Sequence, residues 1–112
     1  MKLLTRYVLF YCDDCDLLKP AIAAFTSVHK YHTVLTSSDE EDLVKKMNEY
    51  KPELVWVYLN DVNKDYVTLV RKVRESTHLS NVPVFIYKSL PESDELASTF
   101  KNLKNFSQDS RE

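Results

Sequence analysis

The sequence predicts an α/β protein in which a parallel sheet is covered by helices on both faces. Two observations carry this prediction: an apolar run without polar alternation, and the regular alternation of strand-like and helix-like segments. The run is Leu54-Val55-Trp56-Val57-Tyr58-Leu59, preceded by Lys51-Pro52-Glu53 and followed by Asn60-Asp61. Such a strand is typical of the middle of a parallel sheet. Open α/β sheets bind ligands beyond the carboxyl ends of their strands, so the residues that follow the run are candidate site residues.

Hydrophobic periodicity predicts four strands that alternate with four helices. The predicted strands are Arg6–Cys12, His32–Leu35 at an edge, Leu54–Leu59 and Pro83–Tyr87. The apolar stripes of the predicted helices fall within Leu18–Val28, Leu43–Tyr50, Tyr66–Val73 and Leu96–Leu103. Short connections between alternating segments predict right-handed crossovers and a parallel sheet.

Polar residues predict where the first two helices begin. The acidic segment Asp13–Asp16 supplies capping carboxylates for the first helix, in which Pro20 is acceptable only within the first turn. Ser37 or Ser38, each followed three residues later by a glutamate, predicts a capping box for the second helix.

Length and composition restrict the function classes that remain open. The 112 residues predict one domain at 1–106 and a polar tail at 107–112. A net charge of −2 disfavours nucleic-acid binding, and apolar runs of about six residues are far shorter than the ~20 that a membrane helix needs. The amino-terminal residues do not resemble a signal peptide and two cysteines do not make a disulfide scaffold, so we expect a cytoplasmic protein. The absence of glycine excludes a glycine-rich phosphate loop.

Several segments, in the right order and spacing, resemble the receiver domains of bacterial two-component response regulators. The similar segments are Val8–Leu18, Tyr31–Leu35, Ser37–Leu43, Lys51–Val55 (the family's "KPDLV"), Leu69–Arg74 and Leu79–Val84. The resemblance covers about residues 6 to 105. It implies a three-layer flavodoxin-like (CheY-like) fold with strand order 2-1-3-4, in which the fifth strand and its helix are missing.

The resemblance also implies a phosphorylation site, and this sequence departs from it. A receiver needs a carboxylate after the third strand as phosphoacceptor, an acidic pair after the first strand for Mg²⁺, and a Thr or Ser after the fourth strand. Here Tyr58 stands at the phosphoacceptor position, and a phenol is neutral at pH 7. Cys12 replaces the first member of the acidic pair while Asp13 keeps the second, and Lys88 replaces the Thr or Ser. Asn60 completes this degenerate site.

We expect the ammonium of Lys88 to lie near Asp13 and Asp14 and to replace the charge of the metal, while Tyr58 fills the space of the phosphate. The sequence therefore predicts a degenerate receiver with no catalytic residue, no metal and no cofactor. Two simpler interpretations stay open. The aspartates can be a solvated helix-capping cluster, and Tyr58 can be core packing.

Two further patterns suggest other functions. Cys12-Asp-Asp-Cys15 is a C-x-x-C motif between a strand and a helix, as in thioredoxin-like redox proteins, and Val82-Pro83 could supply their cis-proline. Cys12 and Cys15 together with His29 and His32 approach a zinc-finger spacing, although a helix separates the two pairs. A functional phosphoacceptor receiver is the remaining alternative.

We therefore predict a stand-alone, phosphorylation-independent signalling module, not an enzyme, that acts by binding another protein. Without a fifth strand, the fourth strand is an exposed parallel edge that can pair with another chain. The predicted interaction surface consists of Val84 and Ile86 on that strand and Phe100, Leu103 and Phe106 on the last helix. The partner is a signalling protein or a second copy of the chain.

Overall fold

A computed structural model describes residues 5–77 and 82–103 of the chain. Its elements, in chain order, are β1 (Arg6–Cys12), a 3₁₀ helix (Cys15–Leu18), α1 (Lys19–Val28), β2 (His32–Ser37), α2 (Glu40–Tyr50), β3 (Val55–Tyr58), α3 (Val67–Thr77), β4 (Val84–Tyr87) and α4 (Ser93–Lys101). This order confirms the predicted alternation of strands and helices. Within the described ranges, no helix is long and apolar enough to cross a membrane.

The four strands form one parallel sheet in the order β2-β1-β3-β4, as predicted. The apolar run is β3, and its residues from Val55 to Val57 are fully buried between β1 and β4. Parallel register brings Cys12 beside Tyr58 and Tyr58 beside Tyr87 at the carboxyl ends of three neighbouring strands. The predicted site residues of β1 and β3 therefore lie side by side at the carboxyl ends of their strands.

Two apolar layers cover the sheet because successive side chains of each strand point to opposite faces. On one face, Phe10 and Trp56 pack with residues of α1 and α4. On the other face, Tyr11 and Val57 pack with residues of α2 and α3. The molecule is thus a three-layer α/β structure.

The last helix lies on the face opposite α3. Its buried residues Leu96 and Phe100 pack against α1, and the Phe100 ring meets the Phe25 ring edge to face at 5.3 Å. A right-handed crossover from β4 to a further strand would instead place the next helix beside α3. The chain therefore leaves the sheet after β4, and β4 remains its edge strand in the described structure.

This placement corrects part of the predicted interaction surface. Phe100 is 0% exposed and belongs to the core, so it does not contribute to a surface. Leu103 packs against the same cluster and is half-buried. An amphipathic stripe shows that a helix buries one face, but it does not distinguish packing within the chain from packing on a partner. Phe106 and the tail lie outside the described residues.

The helix starts are partly as predicted. Pro20 occupies the first turn of α1, where a missing N–H does no harm. Asp14 caps the preceding 3₁₀ helix and accepts a hydrogen bond from the Asp16 N–H at 3.1 Å. The capping box of α2 was predicted wrongly: Asp39 is its N-cap and accepts from the Asp42 N–H at 3.1 Å. The helix begins beyond both serines because β2 continues to Ser37, two residues past the end of the predicted strand.

Candidate functional site

Tyr58 closes β3, at the position that we predicted to correspond to the receiver phosphoacceptor. It is half-buried and packs against the apolar cluster shared by α1 and α4. Its ladder neighbours are Cys12 and Tyr87, and the Tyr87 ring lies 5.2 Å from that of Trp56. An aromatic side chain therefore fills the end of β3, and no carboxylate stands there.

Asp13, immediately after β1, is held by three donors from three parts of the chain. The Tyr11 hydroxyl donates to Oδ1 at 2.7 Å. The Tyr66 hydroxyl donates to Oδ2 at 2.7 Å, and the Lys64 ammonium lies 3.1 Å from the same oxygen. We refer to Tyr11, Asp13, Lys64 and Tyr66 as the Asp13 cluster. Both carboxylate oxygens already have partners within the protein.

The Tyr66 hydroxyl connects this cluster to the loop after β3. It accepts a hydrogen bond from the Asp61 N–H at 3.2 Å while donating to Asp13. The Lys64 ammonium lies 5.3 Å from the centre of the Tyr66 ring, within cation–π range. The loop, β1 and the start of α3 are therefore fixed relative to one another by one phenol and one ammonium.

The contacts shift the pKa values of the cluster in opposite directions. Burial alone would raise the pKa of Asp13, but the hydrogen bonds from Tyr11, Tyr66 and Lys64 and the charge of Lys64 outweigh it, so the pKa is lowered. Burial, together with hydrogen bonding to Asp13, raises the pKa of Tyr66 to about 12. Burial and the same carboxylate also raise the pKa of Tyr11. At neutral pH the cluster thus contains a carboxylate, an ammonium and two neutral phenols.

The predicted pairing of Lys88 with Asp13 and Asp14 was wrong. The cation beside Asp13 is Lys64, whereas Lys88 is exposed and forms no ion pair with any described residue. Asp14 is also exposed and caps the 3₁₀ helix, which fits the simpler capping interpretation for that residue. Lys64 was missed because its position depends on the path of the β3–α3 loop, which no local sequence pattern specifies.

Cys12 is a buried thiol beside the Asp13 cluster. It is 0% exposed, and its Sγ donates to the Asn60 Oδ1 at 3.4 Å. Burial raises the pKa of Cys12, and the charges of Asp13 and Asp14 add to this effect against a backbone hydrogen bond that lowers it. A thiol that resists ionisation is a poor nucleophile, so Cys12 is poorly suited to the role of the attacking cysteine in a C-x-x-C motif. No described peptide bond is cis, including the one that precedes Pro83.

The zinc pattern is not assembled. Cys12 is the last residue of β1, whereas His32 is the first residue of the neighbouring parallel strand β2. The two residues therefore lie at opposite ends of the strands. The His32 Nε2 is 3.1 Å from a Glu53 oxygen, and the His29 Nε2 donates to the Phe100 carbonyl at 2.8 Å. Among the described residues, no group of three His, Cys, Asp or Glu side chains is placed to hold a metal ion.

Comparison with known proteins supports the fold assignment. No protein-family model matches the sequence, and no curated protein matches it in sequence. The structure is similar to the chemotaxis response regulator CheY4 of Vibrio cholerae, with a TM-score of 0.57 and 14% sequence identity over 87% of this chain and 81% of that protein. The chain has a CheY-like receiver fold. At this identity the similarity establishes the fold alone.

Proposed function

We propose that this protein is a receiver-like signalling module that is not phosphorylated on aspartate and that acts by binding another protein. The observation that carries the proposal is the Asp13 cluster, which already engages both oxygens of the carboxylate that a receiver uses to hold Mg²⁺. A metal at Asp13 would have to compete with the Lys64 ammonium and with the two phenol hydrogen bonds.

The neighbouring positions support the same proposal. Tyr58 supplies no carboxylate to accept a phosphoryl group, and Cys12 supplies no second carboxylate for the metal. Lys64 provides a positive charge beside Asp13 without a metal, so the negative charge of this carboxylate is compensated within the protein. The module would bind its partner without a chemical switch and without a catalytic step.

The proposal is tested with acetyl phosphate and with beryllofluoride, each in the presence of Mg²⁺. Trp56 is the single tryptophan and is packed between the rings of Phe10 and Tyr87, so its fluorescence reports changes near the end of β3. We expect no change in fluorescence with either reagent and no phosphoprotein by intact mass spectrometry. A stoichiometric, hydroxylamine-sensitive phosphoryl group would instead identify an active phosphoacceptor and overturn the proposal.

A further inference from the structure

The outer edge of β4 presents backbone groups that the sheet does not use. In a parallel ladder, the N–H and C=O of one residue point to the same side of the strand. On the side that faces β3, the Pro83 carbonyl accepts a hydrogen bond from the Val55 N–H at 3.1 Å. The Tyr87 carbonyl accepts one from the Leu59 N–H at 2.8 Å. The alternate residues Val84 and Ile86 therefore direct their backbone groups away from β3. No described residue forms a hydrogen bond with them there.

An apolar groove of about 850 Å³ runs beside this edge, on the side of the sheet that carries α3. Its apolar lining includes Ile86 from β4, Leu59 from the end of β3, and Val67 and Val70 from α3. Val62 and Val67, which also line it, are 90% and 67% exposed. Because α4 packs on the opposite face, against α1, no described element covers this flank of α3.

The charges that line the groove favour an acidic occupant. Arg71 and Arg74 on α3 and Lys88 after β4 form no ion pair with any described residue. The acidic side chains that line it are Asp61, Asp65 and Glu75. Asp61 accepts a hydrogen bond from the Asn63 N–H in the β3–α3 loop at 3.0 Å, and Asp65 accepts one from the Val67 N–H at the start of α3 at 2.9 Å. The cations of the α3 wall are thus more available to a ligand than the loop carboxylates are.

We propose that β4 binds an extended, acidic segment of a partner protein as a fifth strand. The segment pairs with the open backbone groups of Val84 and Ile86. Every second side chain of the segment faces α3, and on that face apolar side chains enter the groove while carboxylates meet Arg71, Arg74 and Lys88. This inference rests on the proposed function, since it names the class of partner that the module binds.

A second copy of the chain fits the edge less well. Antiparallel pairing of two β4 strands about a twofold axis would extend the sheet and place the two α3 helices on the same side, facing each other across the joint. Arg71 and Arg74 of one copy would then lie close to the same arginines of the other. Like charges in this position oppose association, whereas an acidic segment neutralises them.

The test is a selection from a display library of random twelve-residue peptides on the full chain. We expect selected peptides to carry both apolar and acidic residues at every second position, so that both classes lie on the face that meets α3. Synthetic versions should bind the Arg71→Glu/Arg74→Glu variant at least tenfold more weakly, and their lysine-substituted versions should prefer that variant. The control Lys45→Glu/Lys101→Glu makes the same change in net charge at exposed positions that do not line the groove, and it should bind like the wild type. Circular dichroism checks folding, and Arg71→Gln/Arg74→Gln provides a milder variant.

Backbone pairing is tested separately from charge. Amide hydrogen exchange of Val84 and Ile86 should slow at least tenfold in the complex, and N-methylation of alternate peptide residues should abolish binding on one edge of the peptide only. Unchanged exchange, equal binding to both charge variants or failure to select any peptide would overturn the inference. So would sedimentation that shows a dimer which excludes the peptide.

Repeating the peptide titration with beryllofluoride and Mg²⁺ distinguishes failure of the fifth-strand inference from failure of the proposed function. Equal affinity with and without the reagent supports both. Binding that requires the reagent would leave the fifth-strand inference standing and overturn independence from phosphorylation. Absence of binding in both conditions would overturn the inference alone.

Discussion

Asp13 accepts hydrogen bonds from two phenols and lies beside one ammonium, while burial removes part of the water that would otherwise solvate its charge. The three donors belong to β1, to the β3–α3 loop and to the residue before α3. A partly buried carboxylate with all of these partners stabilises the fold, because loss of one partner leaves a polar group without its hydrogen bond. At the residue scale, Asp13 thus has a structural use.

Asp13→Asn tests this structural use. The amide keeps one acceptor oxygen but loses the charge, so Lys64 and one phenol lose their partner. We expect a destabilisation of about 1–3 kcal/mol in urea unfolding at pH 7. The control is Asp16→Asn, whose exposed carboxylate forms only a surface pair with Lys19 at 3.7 Å and should change stability by less than about 0.5 kcal/mol. Equal effects of the two substitutions would contradict a structural role for the cluster.

The stability difference between the wild type and Asp13→Asn should also depend on pH. The pKa of Asp13 is lowered in the folded protein from its ordinary value of 3.8, so the unfolded chain binds a proton more readily. The stabilisation by this carboxylate is therefore complete above about pH 4 and is lost as the pH falls through the folded-state pKa. The stability difference between the wild type and Asp13→Asn should shrink between pH 5 and pH 2. A difference that grows with acid would be inconsistent with the lowered pKa.

At the scale of elements, α2 ends without the residue that best suits its final conformation. Lys51 follows the helix with φ 50°, in the left-handed region, and its N–H donates to the Met47 carbonyl at 3.2 Å. Glycine is favoured at such helix ends because it has no Cβ to clash with the backbone. The absence of glycine from the chain means that this end is held by the surrounding structure.

Lys51→Gly should therefore stabilise the protein by about 0.5–1 kcal/mol, measured as an increase in the urea midpoint. Asn48→Gly is the matched control, because it introduces the same residue three positions earlier, inside the helix and also exposed. It should destabilise by about 0.5–1 kcal/mol. If both substitutions destabilise alike, the left-handed cap carries no strain that glycine can relieve.

The elements show how far local sequence determines this fold. The buried stripe of α2 was predictable because Leu43 and Met47 recur with the helical period. The strand β3 was predictable because its residues are apolar on both faces. The N-cap of α2 was not, since Ser37 satisfied the capping pattern while tertiary pairing with Tyr11 extended β2 through it. The stripe of α4 predicted a buried face, but not which layer would bury it.

The site was predictable to the same extent. Parallel register places Tyr58 beside Cys12, so the positions of these two residues could be predicted from the strand assignments. The position of Lys64 depends on long-range contacts of Tyr66 with Asp13 and Asp61, which no pattern within the loop encodes.

The packing of α4 has its own test in Phe100→Ala. The side chain is 0% exposed and its ring meets those of Phe25 and Phe10 edge to face at 5.3 and 6.1 Å. Loss of a buried aromatic ring should cost about 3–5 kcal/mol. Lys101→Ala, exposed at the next position, is the control and should change the free energy of unfolding by less than about 0.5 kcal/mol. A small loss of stability with Phe100→Ala would return α4 to the role of an exposed interaction element.

At the scale of the whole molecule, two features mark the borders of the sheet in this CheY-like fold. Among the described residues, none lies beside β4 as a further strand, because α4 packs against α1 on the opposite face. At the carboxyl ends of the strands, both oxygens of the Asp13 carboxylate have partners within the protein. If the proposed function is right, a single carboxylate added at the end of β3 should not create a phosphoacceptor.

Tyr58→Asp puts this conclusion to the test by placing a carboxylate at the phosphoacceptor position. We expect no phosphorylation by acetyl phosphate, because Cys12 still supplies no charge for Mg²⁺ and Asp13 remains bound by Tyr11, Tyr66 and Lys64. The new charge would lie against the apolar cluster of α1 and α4, so stability should fall by about 1–3 kcal/mol. Urea unfolding and intact mass spectrometry measure the two effects.

Tyr58→Phe separates the packing of the ring from the identity of its polar group. It keeps the aromatic ring against the same cluster and should change stability by less than about 1 kcal/mol, again without phosphorylation. If Tyr58→Asp accepted a phosphoryl group at a rate that rose with Mg²⁺ concentration, the internal donors of Asp13 would have to yield readily to the metal. The Asp13 cluster would then be a resting state of a switchable site, and Asp13→Asn should abolish the gained reaction.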